Sequence, residues 1–94
     1  MNRADVLIAA KEAVESRGKA YAPPSGNFRR IAALWEPILG CPVDPHEVAL
    51  CLAALKIARL VEADGVHPDS WIDLAGYAAC GAEVTTEDNN DGTS

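Results

Sequence analysis

Two cations, Lys56 and Arg59, interrupt a stretch from Val48 to Val61 that otherwise carries no charge. Three residues apart on a helix, they lie on one face. Burial of unpaired cations is costly, so an anion is expected opposite them. Acidic residues of a neighbouring helix would serve, and so would the phosphate of a bound ligand. Asp69 and Asp73, four apart and in step with Tyr77, are the second set. Asp69 suits a helix N-terminus, and Asp73 suits a pairing with Lys56 or Arg59. As a pair they could also hold magnesium or recognise hydroxyl or base edges. The third set surrounds a stiff loop. Arg17, Lys19, Tyr21, Asn27, Arg29 and Arg30 gather positive charge, an aromatic ring and an amide near Pro23-Pro24. Cations for phosphate, a ring for stacking and free N–H groups at a helix start are what a nucleotide requires.

Glu12 and Glu15 form an ExxE pair on the first helix, the spacing at which two carboxylates can share a magnesium ion. The pattern is also common on solvated helix faces. His46 and His67 have no shared ligand spacing and receive no role. Cys41, Cys51 and Cys80 lack CxxC spacing, so neither a disulfide framework nor a zinc site is expected. Walker, nucleophile-elbow and dinucleotide-binding motifs are absent from the sequence.

The elements that must place these residues are all helical. Asn2 and Asp5 are spaced to cap a first helix over about Arg3–Arg17, whose core face is Val6, Ala10, Ala13 and Val14, broadened by Leu7. Gly18 is placed to end it. Residues 19–26 form an extended loop. A second helix starts near Asn27, with Phe28, Ile31, Ala32, Trp35, Ile38 and Leu39 inward and Pro37 loosening its last turn. Asp44-Pro45-His46-Glu47 is a strong start signal for the third helix, which Asp64-Gly65 stops near Glu62. Its apolar residues cover much of its circumference, so it is expected to be central and most buried. A fourth helix spans about Asp69–Glu83, where Gly76 and Gly81 permit close packing. The prediction is an all-α, compact four-helix domain over 1–84, with 85–94 a disordered acidic tail.

The chain has 94 residues and a formal net charge of −6. Glu87, Asp88 and Asp91 supply half of that excess, leaving about −3 on the first 86 residues. Such a balance argues against general nucleic-acid binding. No run is long enough for a membrane span. Alanine dominates the apolar fraction, and so short a domain buries little surface, so assembly as a homo-oligomer is expected.

The segments Tyr21–Trp35, Asp44–Arg59 and Asp69–Tyr77 together resemble a small uncharacterised domain family of bacteriophages and prophages. The resemblance covers roughly residues 4–84 and departs at Ala22, where glycine is usual, and at Pro37. It implies a phage protein in the cytoplasm of an infected or lysogenic host, of a size typical of inhibitors of host defence. More distantly, the helix order and the acidic first and last helices resemble MazG-type all-α nucleotide pyrophosphohydrolases. That likeness implies magnesium held by Glu12, Glu15, Asp69 and Asp73, although Asp69 and Asp73 stand at DxxxD spacing where the enzymes have ExxD.

The leading expectation is a non-enzymatic binder of a small phosphorylated, nucleotide-like ligand, with no cofactor. It would sequester a cyclic or NAD-derived immune signal. Arg17, Lys19, Lys56 and Arg59 would hold phosphate, Tyr21 or a tryptophan would stack on a base, and Asn27 with Asp69 or Asp73, beside Tyr77, would read polar edges. The alternatives are the magnesium-dependent pyrophosphohydrolase and a protein-binding inhibitor of a host factor.

Overall fold

The computed structural model describes residues 1–20 and 24–90, with side chains over 1–16 and 26–86. Four helices follow one another: α1 (Arg3–Ala20), α2 (Pro24–Leu39), α3 (Pro45–Glu62) and α4 (Pro68–Asn90). No strand occurs among the described residues. The all-α, four-helix expectation holds.

Local chemistry accounts for most helix ends. The Asp5 N–H donates to Asn2 Oδ1 at 2.9 Å and the Asn2 N–H to Asp5 Oδ2 at 3.0 Å, a reciprocal cap at the start of α1. At α3, Pro45 occupies the first turn and the Asp44 N–H donates to Glu47 Oε1 at 2.8 Å. α2 ends at Gly40, whose φ of +74° suits glycine and whose N–H donates to the Glu36 carbonyl at 2.7 Å. The Glu36 carboxylate then accepts the Val43 N–H at 3.0 Å, tying down the connection to α3. Beyond α3, Asp64 (φ +52°) and Gly65 (φ +79°) turn the chain, and the Gly65 N–H donates to the Leu60 carbonyl at 2.7 Å.

Several expected boundaries are corrected. α1 continues through Gly18 to Ala20, because a helical glycine costs only about 1 kcal/mol and does not stop a helix alone. α2 begins at Pro24 rather than near Asn27, since proline is well tolerated in a first turn. Pro37 lies inside α2, which runs on to Leu39. α4 extends past Glu83 to Asn90, so Thr85–Asn90 are helical and not a structureless tail. The Thr85 and Thr86 hydroxyls donate back to the Gly81 and Ala82 carbonyls, at 3.0 and 2.9 Å, the i−4 bonds by which threonine is accommodated inside a helix. Residues 91–94 lie outside the described residues.

The core is a cluster of Phe28, Ala32, Val48, Ala49, Cys80 and Val84, against which Val14, Ile31, Trp35, Val43, Leu52 and Tyr77 pack. α4 is the hub, touching α1, α2 and α3. Its Gly81 lets α3 approach closely: a Cβ built there would lie 3.1 Å from Ala49 Cβ. α3 is therefore not the most buried helix. It buries Val48, Ala49 and Leu60, while Leu50, Cys51, Leu55 and Ile57 are exposed. The expected inward residues Leu7, Ile38 and Leu39 also face solvent.

Candidate functional site

The one expected juxtaposition that forms among the described ligand residues joins α3 to α4. Lys56 Nζ lies 2.9 Å from Asp73 Oδ2, with the side chains 15% and 31% exposed. Both are partly withdrawn from water, which strengthens their attraction, yet both charged ends keep some hydration. The cation is thus matched by a carboxylate of the same chain, the first of the two partners foreseen for it. Arg59, one turn further along α3, is exposed.

The remaining ligand residues are dispersed. Asp69 is exposed in the first turn of α4, where a carboxylate complements the helix dipole. Tyr77 is half-buried and packs against the core cluster, so its ring is a structural contact. Asn27 is exposed in the first turns of α2. Arg17 and Lys19 lie on the last turns of α1, their side chains outside the described residues, as is Tyr21 entirely. Glu12 and Glu15 are exposed on α1. Among the described residues no three of His, Cys, Asp or Glu gather as a metal site, so the four carboxylates considered for magnesium do not form an assembled ligand set. No described helix is long and apolar enough to cross a membrane.

Sequence reasoning missed His67. The Ser70 N–H donates to His67 Nδ1 at 3.2 Å, and Ser70 Oγ lies 2.6 Å from the same nitrogen. A nitrogen that accepts an N–H carries no proton, so the imidazole is protonated on Nε2 and the serine hydroxyl donates as well. His67 therefore caps α4 through its ring, in the place where Ser, Thr or Asp is usual. Ser70 is 1% exposed, too enclosed to attack a substrate. The pairing is a capping device and not a nucleophile with its base.

A second unanticipated feature is the outward side of α3. Leu50, Ala54, Ile57 and Val61 follow one another at spacings of four, three and four, which places them in one stripe. All four are exposed, Leu50 at 64% and Val61 at 73%. Cys51, Leu55 and Ala58 flank it, also exposed. The signal is present in the sequence as apolar residues over much of the circumference of α3. The excess apolar residues form a second, uncovered face and do not enter the core.

No solved structure matches this chain. Two similar proteins are both called Gene 55 protein. That of Mycobacterium phage D29 is 39% identical over 71 residues, 76% of this chain and 46% of the relative. That of Mycobacterium phage L5 is 39% identical over 75 residues, 78% of this chain and 47% of the relative. The chain thus spans about half the length of these curated relatives. Residues 5–85, which hold the Lys56–Asp73 pair, the His67 cap and the α3 stripe, match a family model described as Domain of unknown function (DUF6378), and the chain belongs to that family.

Proposed function

We propose that this phage-type domain acts by protein contact and not by catalysis, with the outward face of α3 as its working surface. The observation that carries this is the stripe Leu50, Ala54, Ile57 and Val61, apolar and exposed in a domain whose own core is small. Contiguous exposed apolar surface on a soluble protein is characteristic of an interaction site. A catalytic reading has less support: the carboxylates form no ligand set, and Ser70 is enclosed. The test is co-purification from infected cells, using tagged wild type, Ile57→Glu and Lys56→Ala together with an untagged copy. Proteins retained by wild type and Lys56→Ala, but lost with Ile57→Glu, are the expected result. The same set held by all three overturns the reading.

A second reading keeps the phosphorylated ligand and its role as a sink for a cyclic or NAD-derived immune signal. Its support is that Arg59, Asn27 and Arg30 are exposed, the last two on the early turns of α2 just after Tyr21. Lys56, paired with Asp73 at 2.9 Å, lends this reading less support than an unpaired cation would. Calorimetry against cyclic dinucleotides and cyclic ADP-ribose isomers decides it. Heat of binding that disappears in Arg59→Ala supports it, and no heat across the panel removes it.

A further inference from the structure

The α3 stripe specifies what covers it. We infer that its occupant is the α3 of a second copy, packed antiparallel about a two-fold axis, an inference that rests on reading α3 as a contact face. Spacings of four, three and four are those of d, a, d and a positions in a heptad seam, the pattern by which one helix receives another. Leu50 and Ile57 take the d positions, Ala54 and Val61 the a positions. An antiparallel two-fold matches each a residue with a d residue. Ala54 then faces the partner's Ile57, and Leu50 faces the partner's Val61. The small side chain opposes a large one, and the stripe is complementary to itself, as a closed symmetric pair requires. A parallel pair would instead set Ala54 against the partner's Ala54, leaving a gap, and would bring two acidic, dipole-positive helix starts side by side.

Charge does not oppose the pairing along the seam. The chain is acidic overall, yet the flanking positions Cys51, Ala53, Ala58 and Leu60 are uncharged. At each end the same register brings acidic Glu47 toward the partner's Asp64 and Glu62, with Arg59 the one cation nearby, so the ends weaken the pair and the apolar seam alone sets the affinity. Size sets the strength. α3 has 18 residues, hence a length of about 27 Å and a width of 10–12 Å. Its footprint is then roughly 300 Å², against about 800 Å² per partner in a standard stable interface. The dimer is therefore concentration-dependent and exchanging.

Sedimentation velocity on the purified chain, from low-micromolar to near-millimolar concentration, tests this. Wild type moves from monomer toward twice that mass. Ile57→Glu stays monomeric, with unchanged circular dichroism because residue 57 is exposed. In a background with Cys41, Cys51 and Cys80 replaced, a mixture of Ala54→Cys and Ile57→Cys forms a disulfide-linked dimer more readily than Ala54→Cys alone. A wild type that remains monomeric throughout, or an Ile57→Glu that dimerises equally, overturns the proposal. Faster cross-linking of Ala54→Cys alone overturns the antiparallel register. A monomer whose co-purified proteins still depend on Ile57 would sink self-pairing while leaving the protein-contact reading intact.

Discussion

Lys56 on α3 and Asp73 on α4 meet at 2.9 Å across the most extensive helix pair of the domain. The pair lies between the exposed limit, where such contacts contribute at most about 1 kcal/mol, and the buried limit, where removing one partner costs about 3–5 kcal/mol. Asp73→Ala is therefore expected to destabilise the fold by about 1–2 kcal/mol. Lys56→Ala should cost less, because the carboxylate left behind is the better hydrated of the two. The double substitution should be less harmful than the sum, with a coupling of about 1 kcal/mol, measured by urea denaturation of all four proteins. Strict additivity would show that the contact carries no energy.

The turn between α3 and α4 is held by Trp71, whose indole Nε1–H donates to the Gly65 carbonyl at 2.9 Å. Trp71→Phe removes this bond while keeping most of the apolar area, for an expected cost of about 0.5–1.5 kcal/mol from the bond alone. Gly65→Ala should cost about 1–2 kcal/mol for a different reason. Open space surrounds its Cβ position, but the φ of +79° is a left-handed conformation that alanine resists. Thermal melts of the two variants and their combination check this. The combined loss should fall short of the sum, because both changes loosen the same turn.

How far the sequence foretold this depends on the range of each interaction. The caps at Asn2/Asp5 and Asp44/Glu47 use neighbours three residues apart, and both were legible. The glycines of α4 were legible as sites of close approach, because only the lack of a side chain had to be read. The Lys56–Asp73 contact was legible as one of two outcomes; deciding between a carboxylate and a ligand required knowing how α3 and α4 pack. α3 itself was misjudged. Apolar composition reports a wish to leave water, and Leu50, Ile57 and Val61 carry it on the side away from the core. The α4 cap escaped notice because an imidazole rarely plays that part.

That cap is open to direct measurement. His67→Ala removes the acceptor for the Ser70 N–H, for about 1 kcal/mol, and strands a hydroxyl buried in the fold, for about 1–3 kcal/mol more. The expected total is about 2–4 kcal/mol by chemical denaturation. His67→Asn keeps a side-chain acceptor and should recover part of it. His67→Ala combined with Ser70→Ala should also be milder than His67→Ala alone, since no unpaired hydroxyl remains. If His67→Ala matches wild type, the ring is not the cap.

The two glycines in the middle of α4 should respond to alanine with opposite signs. Both lie inside a helix, where glycine is about 0.8–1 kcal/mol worse than alanine, so the helix itself favours substitution at each. The surroundings differ. At Gly76 a new Cβ would meet Val14 Cγ2 at 3.5 Å, an ordinary contact with a side-chain methyl of α1. Gly76→Ala therefore keeps the helical gain and is expected to stabilise by up to about 1 kcal/mol. At Gly81 the neighbour is Ala49 Cβ at 3.1 Å, an atom fixed to the α3 backbone, with no rotamer to yield. Relief requires α3 and α4 to separate by a few tenths of an ångström beside Val48 and Val84, both fully buried. Overpacking of this kind typically costs about 1–3 kcal/mol, more than the helical gain. Gly81→Ala should thus destabilise, by up to about 2 kcal/mol, and Gly81→Leu should lose about 2–3 kcal/mol or more. Parallel urea titrations give both signs in one experiment. Equal stabilisation at the two positions would mean that α3 and α4 are not in close contact at Gly81.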